Sequence, residues 1–148
     1  MTENASNALA VALFSEILAN DQLIRNRLGK ALPKGMEISH FSVLNHLARY
    51  GEERSPAQLA ASFHVTRGAM TNTISKLEWA GYVHVRPDWD DARRKMVAIS
   101  RAGLQARDAA LAVIAPMISD LVAEIGEERV RSALPVLREL RLKMEDEG

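Results

Sequence analysis

The stretch that decides the fold spans residues 55–100 and reads SPAQLAASFHVTRGAMTNTISKLEWAGYVHVRPDWDDARRKMVAIS. At its start, the Ser55 hydroxyl can accept a hydrogen bond from the backbone N–H of Gln58, whose side chain can reach back to the Ser55 backbone. Pro56 then occupies the first helical position, where a missing N–H leaves no bond unmade. These residues predict a short helix, which the segment Phe63-His64-Val65 breaks.

A second helix is predicted directly after this break, with Thr66 as its cap and Trp79 as its last residue. Gly81 is suited to the left-handed conformation past its end. The apolar side chains of its inner face recur at helical spacing: Met70, Ile74 and Leu77. A short helix joined tightly to a second helix has helix-turn-helix geometry, in which the second helix can enter the DNA major groove.

The outward positions of this second helix carry no acidic residue. They are Thr66, Arg67, Gly68, Thr71, Asn72, Ser75 and Lys76. Arg67 and Asn72 are the residue types that bond guanine and adenine edges bidentately. The hydroxyls and the helix N-terminus suit phosphate oxygens, and Gly68 lets the backbone approach closely. A solvated polar face is the alternative, but a surface helix selected for stability would carry Glu, Lys and Ala here. We therefore favour a DNA-reading helix.

After this helix, apolar residues recur at every second position instead of at helical spacing. This alternation predicts two strands that share one buried face. Val83 and Val85 lie on that face in the first strand, and Val97 and Ile99 in the second. The intervening segment 87–94 has no glycine, so we expect a long exposed hairpin loop rather than a tight turn.

The loop of this hairpin is flanked by basic residues, with Arg86 on one side and Arg93-Arg94-Lys95 on the other. A basic finger beside a helix-turn-helix can reach the minor groove, where the negative potential attracts arginine. The loop also carries three aspartates, which would repel phosphate if unpaired, and we expect Asp91 to pair with an arginine. A solvated charged loop is the alternative interpretation.

Helical spacing also marks the chain on both sides of this core. Residues 8–32 form one such segment, with Ser6 as its expected cap, and a further helix is expected to begin at Ser39. Beyond residue 104 the pattern is helical again, and Pro116 and Pro135 are expected to kink or to divide these helices.

These elements predict a mainly α fold with a small β-hairpin wing. We expect a single domain over residues 1–148, in which residues 38–103 form a winged helix-turn-helix core. The segments 8–32 and 104–146 are expected to be dimerisation helices, because a core of this size cannot cover both of their apolar stripes.

The sequence at this point resembles the MarR family of winged-helix regulators over nearly its whole length. The most specific matches are the stretch Leu77–Arg86, the wing signature Asp91-Ala92-Arg93, and the segment Ile99–Gly103 after the second strand. The family often has two adjacent arginines after the wing aspartate. Here Ala92 occupies the first of these two positions and Arg93 the second, and Arg94 comes directly after them.

The resemblance implies a homodimeric repressor that binds a pseudo-palindromic double-stranded operator and is released by a small phenolic or anionic ligand. No targeting signal is visible in the sequence, so a cytoplasmic location is expected by default. The residues expected to bind DNA or to support the contact are Ser55, Thr66, Arg67, Gly68, Thr71, Asn72, Ser75, Lys76, Arg86, Asp91, Arg93, Arg94 and Lys95. The ligand pocket is expected near Phe14, Met36, Ile38, His40, Phe41 and Leu111, with plain core packing as the alternative for each.

Other classes of function lack a positive feature. The chain has no cysteine, and its four histidines show no metal-ligand spacing, so no metal, cofactor or catalytic residue is expected. No phosphate loop, dinucleotide fingerprint or nucleophile elbow occurs, and no enzyme is predicted. No run approaches the length of about eighteen apolar residues that a membrane span needs. The alternative function is a winged-helix module that binds only protein.

The formal net charge is zero, but its distribution is uneven. Residues 64–103 carry seven basic and four acidic side chains, whereas residues 104–148 carry six basic and nine acidic ones. The predicted DNA-facing segment is therefore basic, although the whole chain is not, and we expect modest non-specific affinity for DNA.

Overall fold

A computed structural model describes residues 3–147 of the chain. Its elements are α1 (Glu3–Ala31), α2 (Ile38–Tyr50), α3 (Pro56–Phe63), α4 (Arg67–Trp79), β1 (Val83–Pro87), β2 (Lys95–Ile99), α5 (Arg101–Ile125) and α6 (Glu127–Glu147). The predicted fold class is confirmed: the described chain is mainly helical and carries one antiparallel two-stranded hairpin.

The core of the winged segment is aliphatic, as a chain with only 5% aromatic residues requires. The largest fully buried side chains come from its three helices and from β2: Val43, Leu44 and Leu47 of α2, Leu59 of α3, Leu77 of α4 and Val97 of β2. Burial of these side chains removes apolar surface from water and holds the three helices against the hairpin.

Both caps of the helix-turn-helix are confirmed. The Ser55 hydroxyl accepts from Gln58 N at 3.1 Å, and Gln58 Oε1 accepts from Ser55 N at 2.9 Å. The Thr66 hydroxyl accepts from Ala69 N at 3.1 Å. Between the helices, His64 adopts a left-handed conformation with φ 54°, which ends α3 and turns the chain into α4.

Two other predicted helix starts are wrong. Ser6 lies inside α1, which already begins at Glu3, and no residue of this helix is buried. Because this helix has no buried face, the pattern of apolar residues does not indicate where it starts. Ser39 lies inside α2, whose N-cap is Glu37; the Glu37 N–H donates to His40 Nδ1 at 3.0 Å.

The hairpin has the predicted alternation, since Val83 pairs with Ile99 and Val85 pairs with Val97. The structure adds a contact that the period-two pattern does not predict. Arg54 forms an isolated backbone bridge to Val97, with N–O distances of 3.0 and 2.7 Å. The turn before α3 thereby pairs with the outer edge of β2.

The end of β2 is joined to α5 by close backbone contacts. Ser100 Oγ donates to the Gly81 carbonyl at 2.6 Å and accepts from Gly103 N at 3.0 Å, so it caps α5 while tying it to the end of α4. A Cβ atom on Gly103 would lie 2.0 Å from the Tyr82 carbonyl oxygen. Only glycine fits where α5 passes this carbonyl.

The chain forms two compact units, one ending at Leu111 and one beginning at Ala112. Pro116 and Pro135 lie inside α5 and α6, so neither of them divides a helix. The break falls instead at Gly126, whose φ is 114°. The single-domain assignment stays a prediction.

Within residues 3–147, no single helix is long and apolar enough to cross a membrane. The bent pair Arg101–Ile125 and Glu127–Glu145 meets the length and composition criteria only when the two helices are taken together.

We expect Gly103→Ala to lower the free energy of unfolding by about 1–3 kcal/mol, because the added methyl group collides with backbone that cannot easily move. Urea unfolding should show a lower midpoint. Gly68→Ala is the matched control, since a Cβ there meets nothing within 4 Å. Equal stability of the two variants would contradict the close contact at Gly103.

Candidate nucleic-acid interface

Helix α4 buries one face and exposes the other. Met70, Ile74 and Leu77 are at most 5% exposed and fix the rotation of the helix about its axis. All seven of the predicted outward residues are exposed as a result: Thr66, Arg67, Gly68, Thr71, Asn72, Ser75 and Lys76. The structure therefore brings these predicted DNA-contacting residues together on one surface.

The N-terminal end of α4 is open to an anion. Its first turn carries no acidic residue, and a Cβ on Gly68 would meet nothing within 4 Å. The N–H groups of a helix N-terminus bear a partial positive charge, and they favour a phosphate oxygen or a base acceptor.

Ser55 does not share this exposure. Its side chain is buried and its hydroxyl is used in the cap of α3. We therefore assign Ser55 to positioning the helix pair and omit its hydroxyl from the proposed DNA contacts.

The tip of the wing is ordered by Asp91. Its Oδ1 atom accepts from Arg93 N at 3.0 Å and from Arg93 Nε at 3.2 Å, which confirms the predicted pairing of this aspartate with an arginine. These two hydrogen bonds lower the pKa of the Asp91 carboxyl. The Arg93 side chain remains 91% exposed, so the pair orients the guanidinium without covering it.

A second aspartate orders the base of the same loop. Asp88 Oδ1 accepts from Asp90 N at 3.1 Å, and the Asp88 N–H donates to the Arg94 carbonyl at 2.9 Å. The Arg94 Nε atom lies 4.0 Å from Asp88 Oδ2. The loop aspartates are thus parts of the loop's own structure, and Arg94 and Lys95 stay exposed beside them.

Arg86 is placed differently from the other predicted contacts. Its guanidinium pairs with Glu53 and lies 4.7 Å from the centroid of the Trp89 ring. Sequence reasoning missed Glu53, because it lies 33 residues before Arg86 and no local pattern connects the two.

The predicted pocket residues do not line one common cavity among three that the described residues form. Met36 and His40 line a cavity of about 480 Å³. Ile38 lines a separate cavity of about 390 Å³, and Phe41 lines a third of about 220 Å³. A ligand pocket formed around these residues stays a prediction.

The other two predicted pocket residues line none of these three cavities. Phe14 is 46% exposed on α1. Leu111 is half-buried on α5.

The largest of these cavities combines an apolar wall with cations. It is lined by Met36, His40, Leu77, Trp79 and Tyr82 together with Lys34 and Lys76. Burial lowers the pKa of His40, the nearby Lys76 lowers it further, and Glu37 partly opposes both. Because His40 Nδ1 accepts the Glu37 N–H, the imidazole is neutral in this arrangement.

Within residues 3–147, no group of three or more His, Cys, Asp or Glu side chains could hold a metal ion. The described side chains thus offer no candidate metal centre.

A paired helix-turn-helix and an ordered hairpin wing define a winged helix-turn-helix protein. The family model for the MarR family matches residues 34–94. Over these residues, the winged-helix core of this chain is similar to the MarR family. No curated protein matches the sequence.

Solved structures extend the likeness beyond the core. The transcriptional regulator BldR from Sulfolobus solfataricus is 26% identical, with a TM-score of 0.70, and the match covers 94% of this chain and 99% of BldR. A mutant MarR from E. coli in complex with operator DNA is 20% identical, with a TM-score of 0.78 and coverage of 88% and 94%.

A third structure contains a small ligand. The organohalide-sensing transcriptional regulator RdhR, in its 2,4-dichlorophenol-bound form, is 19% identical with a TM-score of 0.81. The match covers 98% of this chain and 86% of RdhR. At this level of identity the second and third structures establish the fold alone.

Proposed function

We propose that the protein is a sequence-specific double-stranded DNA-binding transcriptional repressor that acts as a homodimer on a pseudo-palindromic operator. The observation that carries this proposal is the surface of α4, where hydroxyl, amide and basic side chains are all exposed beside an ordered basic wing. The similar MarR structure from E. coli is a complex with operator DNA, which supports DNA binding by a protein of this fold.

In this proposal α4 enters the major groove. Arg67 and Asn72 bond base edges and determine which sequence is bound, since each can make two hydrogen bonds to one base. Thr71, Ser75 and Lys76 bond the flanking phosphates, and they set the register without reading sequence.

The wing enters the adjacent minor groove with Arg93. Asp91 holds this guanidinium in place, which reduces the conformational entropy lost when the arginine binds. Arg94 and Lys95 then lie beside the backbone, where their charges neutralise phosphates.

Arg93→Ala and Asn72→Ala are expected to weaken DNA binding in different ways. Loss of Arg93 removes a sequence-independent contact, so affinity falls on every DNA and the slope of log K against log salt decreases by about one. Loss of Asn72 costs about 1–3 kcal/mol on the preferred site only. Fluorescence anisotropy titrations on matched and scrambled duplexes, repeated at several salt concentrations, measure both effects. A uniform loss for Asn72→Ala would reassign it to phosphate.

Selection of bound duplexes from a random pool at near-physiological salt tests the proposal as a whole. A palindromic consensus is expected, with half-sites spaced by one helical turn or a multiple of it. Absence of any enrichment would favour the alternative, a winged-helix module that binds only protein.

The homodimer is proposed from exposed apolar surface. None of the described residues of α1 is buried, and Leu13, Phe14 and Ile24 are each at least 38% exposed. In the second compact unit, Ile118, Leu121, Leu137 and Met144 are exposed as well. Apolar surface of this extent is typical of a protein interface, and a second copy of the chain would bury it.

Sedimentation equilibrium at micromolar concentration is expected to give twice the chain mass of 16.3 kDa. Phe14→Glu should shift the equilibrium towards monomer, because it places a charge in the proposed interface. Ala19→Glu, on the opposite side of the same helix, is the matched control. A wild-type protein that sediments as a monomer would rule out the homodimer.

We further propose that a small aromatic anion occupies the cavity beside α4 and releases the DNA. Lys34 and Lys76 supply positive charge, and Trp79 and Tyr82 supply aromatic surface for such a ligand. Because Lys76 also lies on the outward face of α4, a ligand there competes directly for a DNA-facing cation.

Salicylate is a suitable probe of this cavity. It is expected to weaken binding of the selected operator, and Lys34→Met should require several-fold more salicylate for the same effect. Lys30→Met, a nearby lysine that does not line the cavity, is the control. No effect of millimolar salicylate on the wild-type protein would count against the site.

A further inference from the structure

Each nitrogen of the Arg86 guanidinium donates to a neighbouring group. Its Nε donates to Glu53 Oε1 at 3.0 Å, its Nη2 donates to Glu53 Oε2, and its Nη1 donates to the Pro87 carbonyl at 2.7 Å. One face of the same group lies 4.7 Å from the centroid of the Trp89 ring. We call Glu53, Arg86 and Trp89 the wing clamp.

The ion pair within the wing clamp differs from an ordinary surface pair. Both side chains are half-buried, at 31% and 36% exposure, and the contact is bidentate. Bidentate arginine–carboxylate pairs are stronger and more directional than single contacts. The charge of Arg86 is therefore matched within the protein.

The clamp joins two parts of the winged core that are remote in sequence. Glu53 precedes Arg54, whose backbone is bridged to Val97 of β2. Trp89 lies in the wing loop, three residues after Arg86, and is 84% exposed. The clamp thus fixes the loop at the point where it leaves the sheet.

We propose that the wing clamp orients the wing for the DNA contact made by Arg93, and that Glu53 and Arg86 are positioning residues. Arg86, predicted from the sequence as a DNA contact, is assigned here to the protein's own structure. This inference rests on the proposed function, since it concerns how the same surface is held in place for DNA.

The direction in which Glu53→Gln changes the affinity for DNA distinguishes this proposal from a simple charge effect. Glu53→Gln removes a negative charge beside the DNA surface, which by itself would strengthen binding to a polyanion. If the clamp positions the wing, the same change weakens binding. Glu52→Gln is the matched control, because it removes an equal charge from the adjacent residue, which lies outside the clamp.

The first measurement is the affinity for the selected operator by fluorescence anisotropy. Glu53→Gln is expected to weaken binding about fivefold, whereas Glu52→Gln leaves it unchanged or slightly stronger. In an Arg86→Met background, Glu53→Gln should have no weakening effect, since the clamp is already lost. Arg86→Met should also keep the wild-type salt slope, whereas a phosphate contact by Arg86 would lower that slope by about one.

The second measurement needs no DNA. Heteronuclear NOE values of the backbone amides of residues 88–94 report the order of the wing on the ps–ns timescale. These values are expected to fall in Glu53→Gln and in Arg86→Met, but not in Glu52→Gln.

Unchanged NOE values in Glu53→Gln would overturn the clamp, even if the wild-type protein bound no DNA and the proposed function failed. Lower NOE values with unchanged or stronger DNA binding would overturn its positioning role. Lower values together with weaker binding would support it.

Discussion

The exposed surface of this protein depends on the burial of one face of α4. Met70, Ile74 and Leu77 can leave water only if the helix takes one rotation against α2, α3 and the hairpin. Burial of each such side chain is worth about 1.5–3 kcal/mol, so this rotation is strongly favoured. The polar residues on the opposite side are then exposed whether or not a ligand is present. The apolar residues therefore set the geometry of the proposed DNA contact.

Features that are complete within a few consecutive residues could be predicted from the sequence. The Ser55 and Thr66 caps need only four residues each, and the hairpin strands show their period of two directly. The start of α1 could not be predicted, because this helix has no buried face in the single chain. The Arg54 bridge to Val97 and the pairing of Glu53 with Arg86 could not be predicted either, because each joins segments that are distant in sequence and no short sequence pattern indicates them.

Of the proposed site, the recognition surface could be predicted more completely than the ligand pocket. Helical periodicity assigns outward residues directly, whereas a cavity requires the relative placement of several elements. Met36 precedes α2, and Ile38 and Phe41 lie in its first turn, yet the three residues line three different cavities. Proximity in sequence therefore does not predict a shared pocket.

The distribution of charge makes the proposed DNA binding compatible with a net charge of zero. The carboxylates of Asp88 and Asp91 are used to order the wing loop and to orient Arg93, so part of their charge is compensated locally. The modest basic excess of the core gives little sequence-independent affinity. In the proposed homodimer, affinity for an operator would come from base contacts and from the joining of two reading helices in one molecule. Linking two weak half-site contacts raises the effective concentration of the second once the first has formed, so dimerisation would be part of the proposed specificity.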